Sequence, residues 1–285
     1  MSGNSLIVPA GDTEIIPFGE TPSYLAEAQE KAKAYATTPF SKEDYTTPRI
    51  YLLQGLSPQI TLFPGEARIG HFWHGGMNVS LGETFNFVTI QRNKRVILWR
   101  PRADGGGMLA RSINGIHWDM GANQEFEVTV PKRRDPVIWR TGANVPDSGL
   151  TQYGSSNPDD DKSPPAAHVN HEYLLYVIGH PELSPVVYSV SSTGLKNSRA
   201  MNRTLDSMML AGRPYHMVAI RAFVQTRTNA KGTWTIPNFA TAGFIPKNLF
   251  DEVTDLAEKF KDYTVEPVEQ GQDEETQVPK YETAY

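Results

Sequence analysis

The chain has 285 residues, 39% apolar and 21% charged, which allows one large domain or two small ones with an ample core. It has no cysteine, and this excludes a disulfide framework, a thiolate nucleophile and a cysteine-based zinc site. The net charge of −5 is segregated: residues 262–285 hold seven acids and one lysine, which leaves residues 1–261 at +1, with +5 in residues 92–140 and +6 in residues 196–231.

Residues 1–48 read as an N-terminal arm. Gly, Ser, Thr and Pro punctuate its first 21 residues, residues 23–36 (SYLAEAQEKAKAYA) have the composition of a short helix with Pro22 at its start, and residues 37–48 are a linker. Residues 49–261 form a β-rich body. Strands are expected at 49–54 (RIYLLQ), at 84–91 (TFNFVTIQ) and at 95–100 (RVILWR), the last two joined by a turn at Arg92-Asn93-Lys94. Residues 125–130 alternate cleanly, and 135–140 is a further candidate strand. Residues 141–167 are polar, rich in Gly, Ser, Pro and Asp, and long enough to be read as a functional or disordered loop. Strands follow at 173–178 (YLLYVI) and 186–190, then a helix at 194–210. A long alternating strand at 215–228 turns through Asn229-Ala230-Lys231-Gly232 into 233–239, a hairpin signature. The body closes on an amphipathic helix at 246–261, with Leu249, Val253, Leu256 and Phe260 on one face. Short strands, glycine turns and few helices predict a mainly β (α+β) fold. An OB-like small barrel with added helices is expected, with a jelly roll or sandwich as the alternative. Residues 262–285, acidic and poor in apolar side chains, are expected to stay disordered as a tail.

Three groups of residues mix rings with cations. On the strand at 215–228 a period of two sends Val218, Ile220, Ala222 and Val224 to one face. Tyr215, Met217, Arg221, Phe223 and Arg227 go to the other, and Trp234 across the hairpin extends that surface. Rings for bases to stack on, with cations for the phosphates between them, are what a single nucleic-acid strand requires, and stacking contributes roughly 1–3 kcal/mol per base. The competing explanation is a strand covered on both faces, with Tyr215 and Phe223 in a second core layer. In the preceding helix Lys196, Arg199 and Arg203 share a face and can track a phosphate backbone, or can simply be a solvated face. The third group surrounds VILWRPRADGGG: Trp99, Arg100, Arg102 and Arg111, with Trp118 nearby and a Gly105-Gly106-Gly107 loop that frees the backbone for close approach. Lys132-Arg133-Arg134 with Trp139-Arg140 is a similar mixture. No Gly-Lys-Ser/Thr follows the glycines, so this is not a P-loop.

Catalytic and metal signatures are weak. His168 and His171, and likewise His71 and His74, stand three apart without the His-Glu-x-x-His pattern, and Asp159-Asp160-Asp161 reads as a solvated loop. No Gly-x-Ser-x-Gly elbow occurs. No cofactor, no metal and no enzymatic activity are expected. No apolar run has the make-up of a signal peptide or approaches the roughly 20 residues of a membrane span, so no membrane association is expected.

Basic-aromatic strands followed by an acidic tail with a terminal aromatic, Tyr285, resemble the single-stranded DNA-binding proteins of bacteria and their phages. The body, through VILWRPRADGGG and TNAKGTWTIPNF, also resembles phage-encoded replication-region proteins. The resemblance implies an OB-type fold, sequence-tolerant DNA coating and tail-mediated partner recruitment. With the residues above, a non-enzymatic binder of single-stranded DNA in replication or recombination is expected, with Tyr281 and Tyr285 as the tail's apolar anchors for replication proteins. A cytoplasmic location is expected, which the absence of cysteine fits, in the host if the protein is phage-encoded. Homo-oligomerisation is left open. The body exceeds a minimal OB domain, and the tail ends in Thr-Ala-Tyr rather than in an acidic run closed by phenylalanine. A virion structural or assembly protein is the first alternative, and a hydrolase or nuclease with a spatially assembled site is the second.

Overall fold

Alternating apolar residues cut by glycine turns give strands, and eleven strands form among the described residues. The structure, a computed structural model, describes residues 47–130, 133–229 and 232–261. The arm with its helix, the acidic tail with Tyr281 and Tyr285, and the lysines at 132 and 231 lie outside the described residues.

In chain order the strands are β1 (Arg49–Leu52), β2 (Phe72–His74), β3 (Val79–Gly82), β4 (Thr84–Trp99), β5 (Met108–Ser112), β6 (Glu125–Val128), β7 (Val137–Arg140), β8 (Ala167–Val177), β9 (Val186–Ser191), β10 (Val218–Asn229) and β11 (Gly232–Phe244). The helices are α1 (Pro58–Leu62), α2 (Val145–Ser148), α3 (Leu195–Leu210) and α4 (Lys247–Lys259). Nine strands build one sheet in the order β11-β10-β4-β8-β9-β1-β2-β3, with β5 paired to the far end of β4. The sheet curls into a half barrel, and β6 and β7 form a separate ribbon. The fold is mainly β, as the composition of the strands implies.

The spine of the sheet departs from expectation. The turn expected at Arg92-Asn93-Lys94 does not exist, and residues 84–99 run as one 16-residue strand. Those three residues lack glycine and proline, and β8 gives each a partner: Arg92 opposite Tyr173, Asn93 opposite Glu172, Lys94 opposite His171. A register shift between Thr89 and Gln91 absorbs the curvature instead. The strand expected from 215 begins at Val218, because residues 215–217 form a 3-10 turn behind Pro214. The hairpin after it is as expected, with Asn229 opposite Gly232. Strands β2, β3 and β5 were not legible in the sequence.

Both faces of the sheet are covered over β4, β8 and β9. On the inner face, Phe72, Phe85, Phe87 and Tyr188 pack with Leu175, Val218, Ile220 and Ala222, and α3 seats Met201 and Leu205 on them. The rings meet mostly edge to face, as at Phe72–Phe85 and Phe72–Tyr188, which adds to the area they bury. On the outer face, α4 lays Val253, with Leu249, Leu256 and Phe260, over Val88, Ile90, Leu174, Tyr176 and Val187. A second core lies at the far end of β4 and β8. There Val96, Leu98, Leu109, Trp118, Val137 and Trp139 meet Val145, Leu150 and Ala166. Residues 141–167 are therefore a packed part of the body and not a free loop. The Ser155 hydroxyl donates to the Leu150 carbonyl and accepts from the Ala166 N–H, which ties the segment to itself. The edge strand β11 is also protected. The side-chain amide of Gln54 donates to the carbonyl of Thr235 and accepts from its N–H, so those backbone groups are satisfied at the edge.

Candidate nucleic-acid interface

The three ring-and-cation groups do not share one surface. On β10 the side chains alternate as expected from Val218 onward: Ile220 and Ala222 enter the inner core, while Arg221, Phe223 and Arg227 face outward. Cross-strand register puts Arg227 opposite Trp234, Phe223 opposite Asn238, and Arg221 beside Asn86 of β4, whose side-chain oxygen accepts from the Arg221 Nε at 3.3 Å. Strand β4 stops pairing at Phe223, so residues 225–229 and 232–236 run on as a two-stranded ribbon. Phe223 and Trp234 are half-buried, and Arg221 and Arg227 are exposed. Tyr215 leaves this group. Its ring packs against the inner core, its hydroxyl donates to the Ile90 carbonyl at 3.2 Å, and the Arg92 guanidinium lies 5.2 Å from the ring centroid. Burial raises its phenol pKa. The 3-10 turn rotates Tyr215 to the inner side, which strand periodicity could not reveal.

The VILWRPRADGGG group is mostly structural. All three glycines have positive φ (94°, 69° and 93°), and the Gly106 N–H donates to the Pro101 carbonyl, so the triplet is a defined hairpin turn and not a free hinge. Arg111 is held by Asp119 at 2.7 Å. Trp118 and Trp139 are buried in the second core, the former donating to the Thr141 carbonyl. Trp99 and Arg100 are half-buried, and Arg102 is exposed. Arg133 pairs with Asp159 and Arg140 with Glu125.

Helix α3 differs. Met201 and Leu205 point into the core, so Lys196, Arg199 and Arg203 stand on its solvent side, all three exposed. The one acid in residues 196–231, Asp206, is held by Arg92. Among the described residues no carboxylate pairs with Lys196, Arg199, Arg203 or the exposed Lys94 of β4. Helix α3 sits on the inner side of the sheet, where the Asn197 amide donates to the Pro237 carbonyl. The basic helix face and the outward face of Arg221, Phe223 and Trp234 therefore lie on opposite sides of the sheet.

One residue beside α3 was not singled out as a binding residue. His171 of β8 is buried, and its Nδ1 lies 2.8 Å from the Ser198 hydroxyl of α3. Burial first, then the positive charges of Arg199 and Lys94, hold its pKa down to about 4. Next to it Tyr173 donates to Asn202 at 3.1 Å, so β8 and α3 are joined by a polar seam between the two cores. His168, three residues along the same strand, is opposite Ile97 and faces the other way, so the pair is no metal clamp. The Nδ1 of His71 meets the Ser80 hydroxyl, and that of His74 accepts from the Met77 N–H, which makes that pair structural. Among the described residues no three His, Cys, Asp or Glu are placed to hold a metal ion, and no helix is long and apolar enough to cross a membrane.

A family model described as "Pam3 phage gp34-like protein" matches residues 17–266. No curated protein and no solved structure matches the chain.

Proposed function

The chain belongs to the Pam3 phage gp34-like family, and from that phage setting and the surface above we propose that it binds single-stranded DNA without catalysis, in phage replication or recombination. One observation carries the reading: α3 and Lys94 present four cations that have no carboxylate partner among the described residues, on the inner side of a curled sheet. An unneutralised basic stripe attracts a polyanion, and its field is largest where no acid screens it. The half barrel would serve as an OB-like sheet does, as a rigid mount for the strand. The outward ribbon with Trp234 and Arg227 would offer a second contact, so the DNA would pass from one side of the sheet to the other around β11. The acidic tail, residues 262–285, would compete for the basic stripe and then recruit replication proteins when DNA displaces it.

The test is an electrophoretic titration of the full chain with single-stranded DNA, duplex DNA and RNA at two salt concentrations. Single-stranded DNA should bind most tightly, and its affinity should fall with salt at a log–log slope of about −0.7 for each phosphate contacted. No binding to any nucleic acid at low salt would overturn the reading.

A second reading, a virion or assembly subunit, has its own observation. Leu56, Leu62 and Ile69 are 71%, 69% and 58% exposed on the segment between β1 and β2. An ordered high-mass assembly formed without nucleic acid would favour that reading.

A further inference from the structure

Lysines on protein surfaces usually keep a mobile stem, and their charge is screened by water or by a neighbouring acid. Lys94 is different. The turn after β5 folds Gly115 onto its methylenes, and a Cβ on Gly115 would lie 2.7 Å from the Lys94 Cδ and 2.9 Å from its Cγ. Gly115 also has φ +69°, and the Asn114 side-chain oxygen fixes the turn by accepting from the N–H groups of Ile116 and His117. Its φ makes glycine the favoured residue there, and the missing side chain leaves room for the Lys94 stem to lie along the turn. No described carboxylate pairs with it.

Across the β4–β8 pair Lys94 stands opposite His171. The Ser198 hydroxyl holds one nitrogen of that ring against α3, and Ser198 is fully buried, so the ring is oriented by the helix. The other nitrogen, Nε2, makes neither of the ring's hydrogen-bond contacts to α3, both of which fall on Nδ1. Arg199, one residue beyond Ser198 on the same helix, is close enough to act electrostatically on His171, as is Lys94. Three elements thus bring into one neighbourhood a lysine opposite the imidazole, an arginine next to the serine that orients it, and the imidazole itself.

We propose that Lys94, Arg199 and His171 form a seat for one phosphate group, which on the single-stranded DNA reading is a backbone phosphodiester. The inference rests on that reading for the source of the phosphate, and not for the seat itself. A phosphate there accepts hydrogen bonds from the Lys94 ammonium and the Arg199 guanidinium, and it cancels the repulsion that keeps the imidazole neutral. Among the described residues the groups that face His171 are Lys94 from β4, Arg199, Ser198 and Asn202 from α3, and Tyr173 on its own strand, with the Arg92–Asp206 pair beyond, and no described carboxylate shifts its pKa. A bound phosphate therefore raises the proton affinity of His171, and by reciprocity phosphate binds more tightly as pH falls toward the range in which the ring protonates.

The experiment follows the imidazole resonances of His171 in the full chain by NMR, assigned by their loss in His171→Gln. It uses pH titrations alone, with oligothymidylate, and with inorganic phosphate. Both ligands should raise the His171 pKa by at least about one unit. Lys94→Met, a change at an exposed side chain, should abolish that shift and weaken oligothymidylate binding about fivefold to tenfold, and Lys94→Arg should restore most of it. If oligothymidylate binds normally while His171 does not shift and Lys94→Met has no effect, the seat is wrong and the DNA reading stands. If inorganic phosphate shifts His171 in a Lys94-dependent way and no DNA binds, the seat stands and the DNA reading falls. If neither ligand shifts His171 and no DNA binds, both are wrong.

Discussion

Residues 92–140 and 196–231 carry nearly the same excess of positive charge, +5 and +6, yet the fold uses them in opposite ways. In the first block Arg95 is buried against Glu172, and Asp119, Asp159 and Glu125 hold Arg111, Arg133 and Arg140. In the second, the only acid, Asp206, is taken by Arg92, and no carboxylate among the described residues pairs with Lys196, Arg199 or Arg203 of α3. Among the described residues of the first block Lys94, Arg100 and Arg134 have no ion pair, and of these Lys94 is the one opposite His171 and beside α3. Charge density along a sequence is therefore not the same as potential on a surface; which cations find an acid decides it.

The comparison breaks most visibly at the buried pair. Arg95 and Glu172 are 2% and 4% exposed and 3.1 Å apart. Glu172→Gln would leave a buried guanidinium without its counter-charge, at a cost of about 3–5 kcal/mol in a denaturant titration. A loss under 1 kcal/mol would mean that water already reaches the pair.

The polar seam responds to pH. Unfolded, His171 takes up a proton near 6.5; folded, only at about 4. Between those values the unfolded chain binds more protons, so stability falls as pH falls, by up to ~1.4 kcal/mol per pH unit. His171→Gln should flatten the stability profile between pH 6.5 and 4, and an unchanged profile would assign the acid sensitivity to other groups.

The outward ribbon sharpens the comparison. Phe223→Ala and Trp234→Ala should each weaken single-strand binding by roughly 1–3 kcal/mol without unfolding the protein, if bases reach that side of the sheet. Unchanged affinity in both would confine the DNA to α3. The smallest effect belongs to an exposed, paired arginine. Arg140→Ala should cost under about 1 kcal/mol of stability and leave DNA affinity as it was, since Glu125 already neutralises it. A clear loss of affinity would show that surface pairing does not sort structural from binding cations.

Much of the fold was legible where one periodicity governed a whole element. The alternation of residues 218–228 and the helical face of Leu249, Val253, Leu256 and Phe260 gave β10 and α4. It failed where partners decide. Arg92-Asn93-Lys94 looked like a turn because its polarity was read without β8, and residues 141–167 looked free because Val145, Leu150 and Ala166 have no period to betray their burial. Tyr215 was misplaced by one 3-10 turn. The basic face of α3 was legible from spacing alone. Its isolation from carboxylates was not, and neither was the alignment of Lys94 with His171, because both depend on strands and helices far apart in the chain.

The most direct test of the account is the salt dependence of single-stranded DNA affinity in three proteins: the natural chain, Lys196→Ala/Arg199→Ala/Arg203→Ala, and Arg111→Ala/Arg133→Ala/Arg140→Ala. The account predicts that the α3 variant loses about two from the log–log slope, at about 0.7 per phosphate contact, while the second variant keeps the slope of the natural chain. Equal losses in both variants, or no loss in the α3 variant, would contradict it.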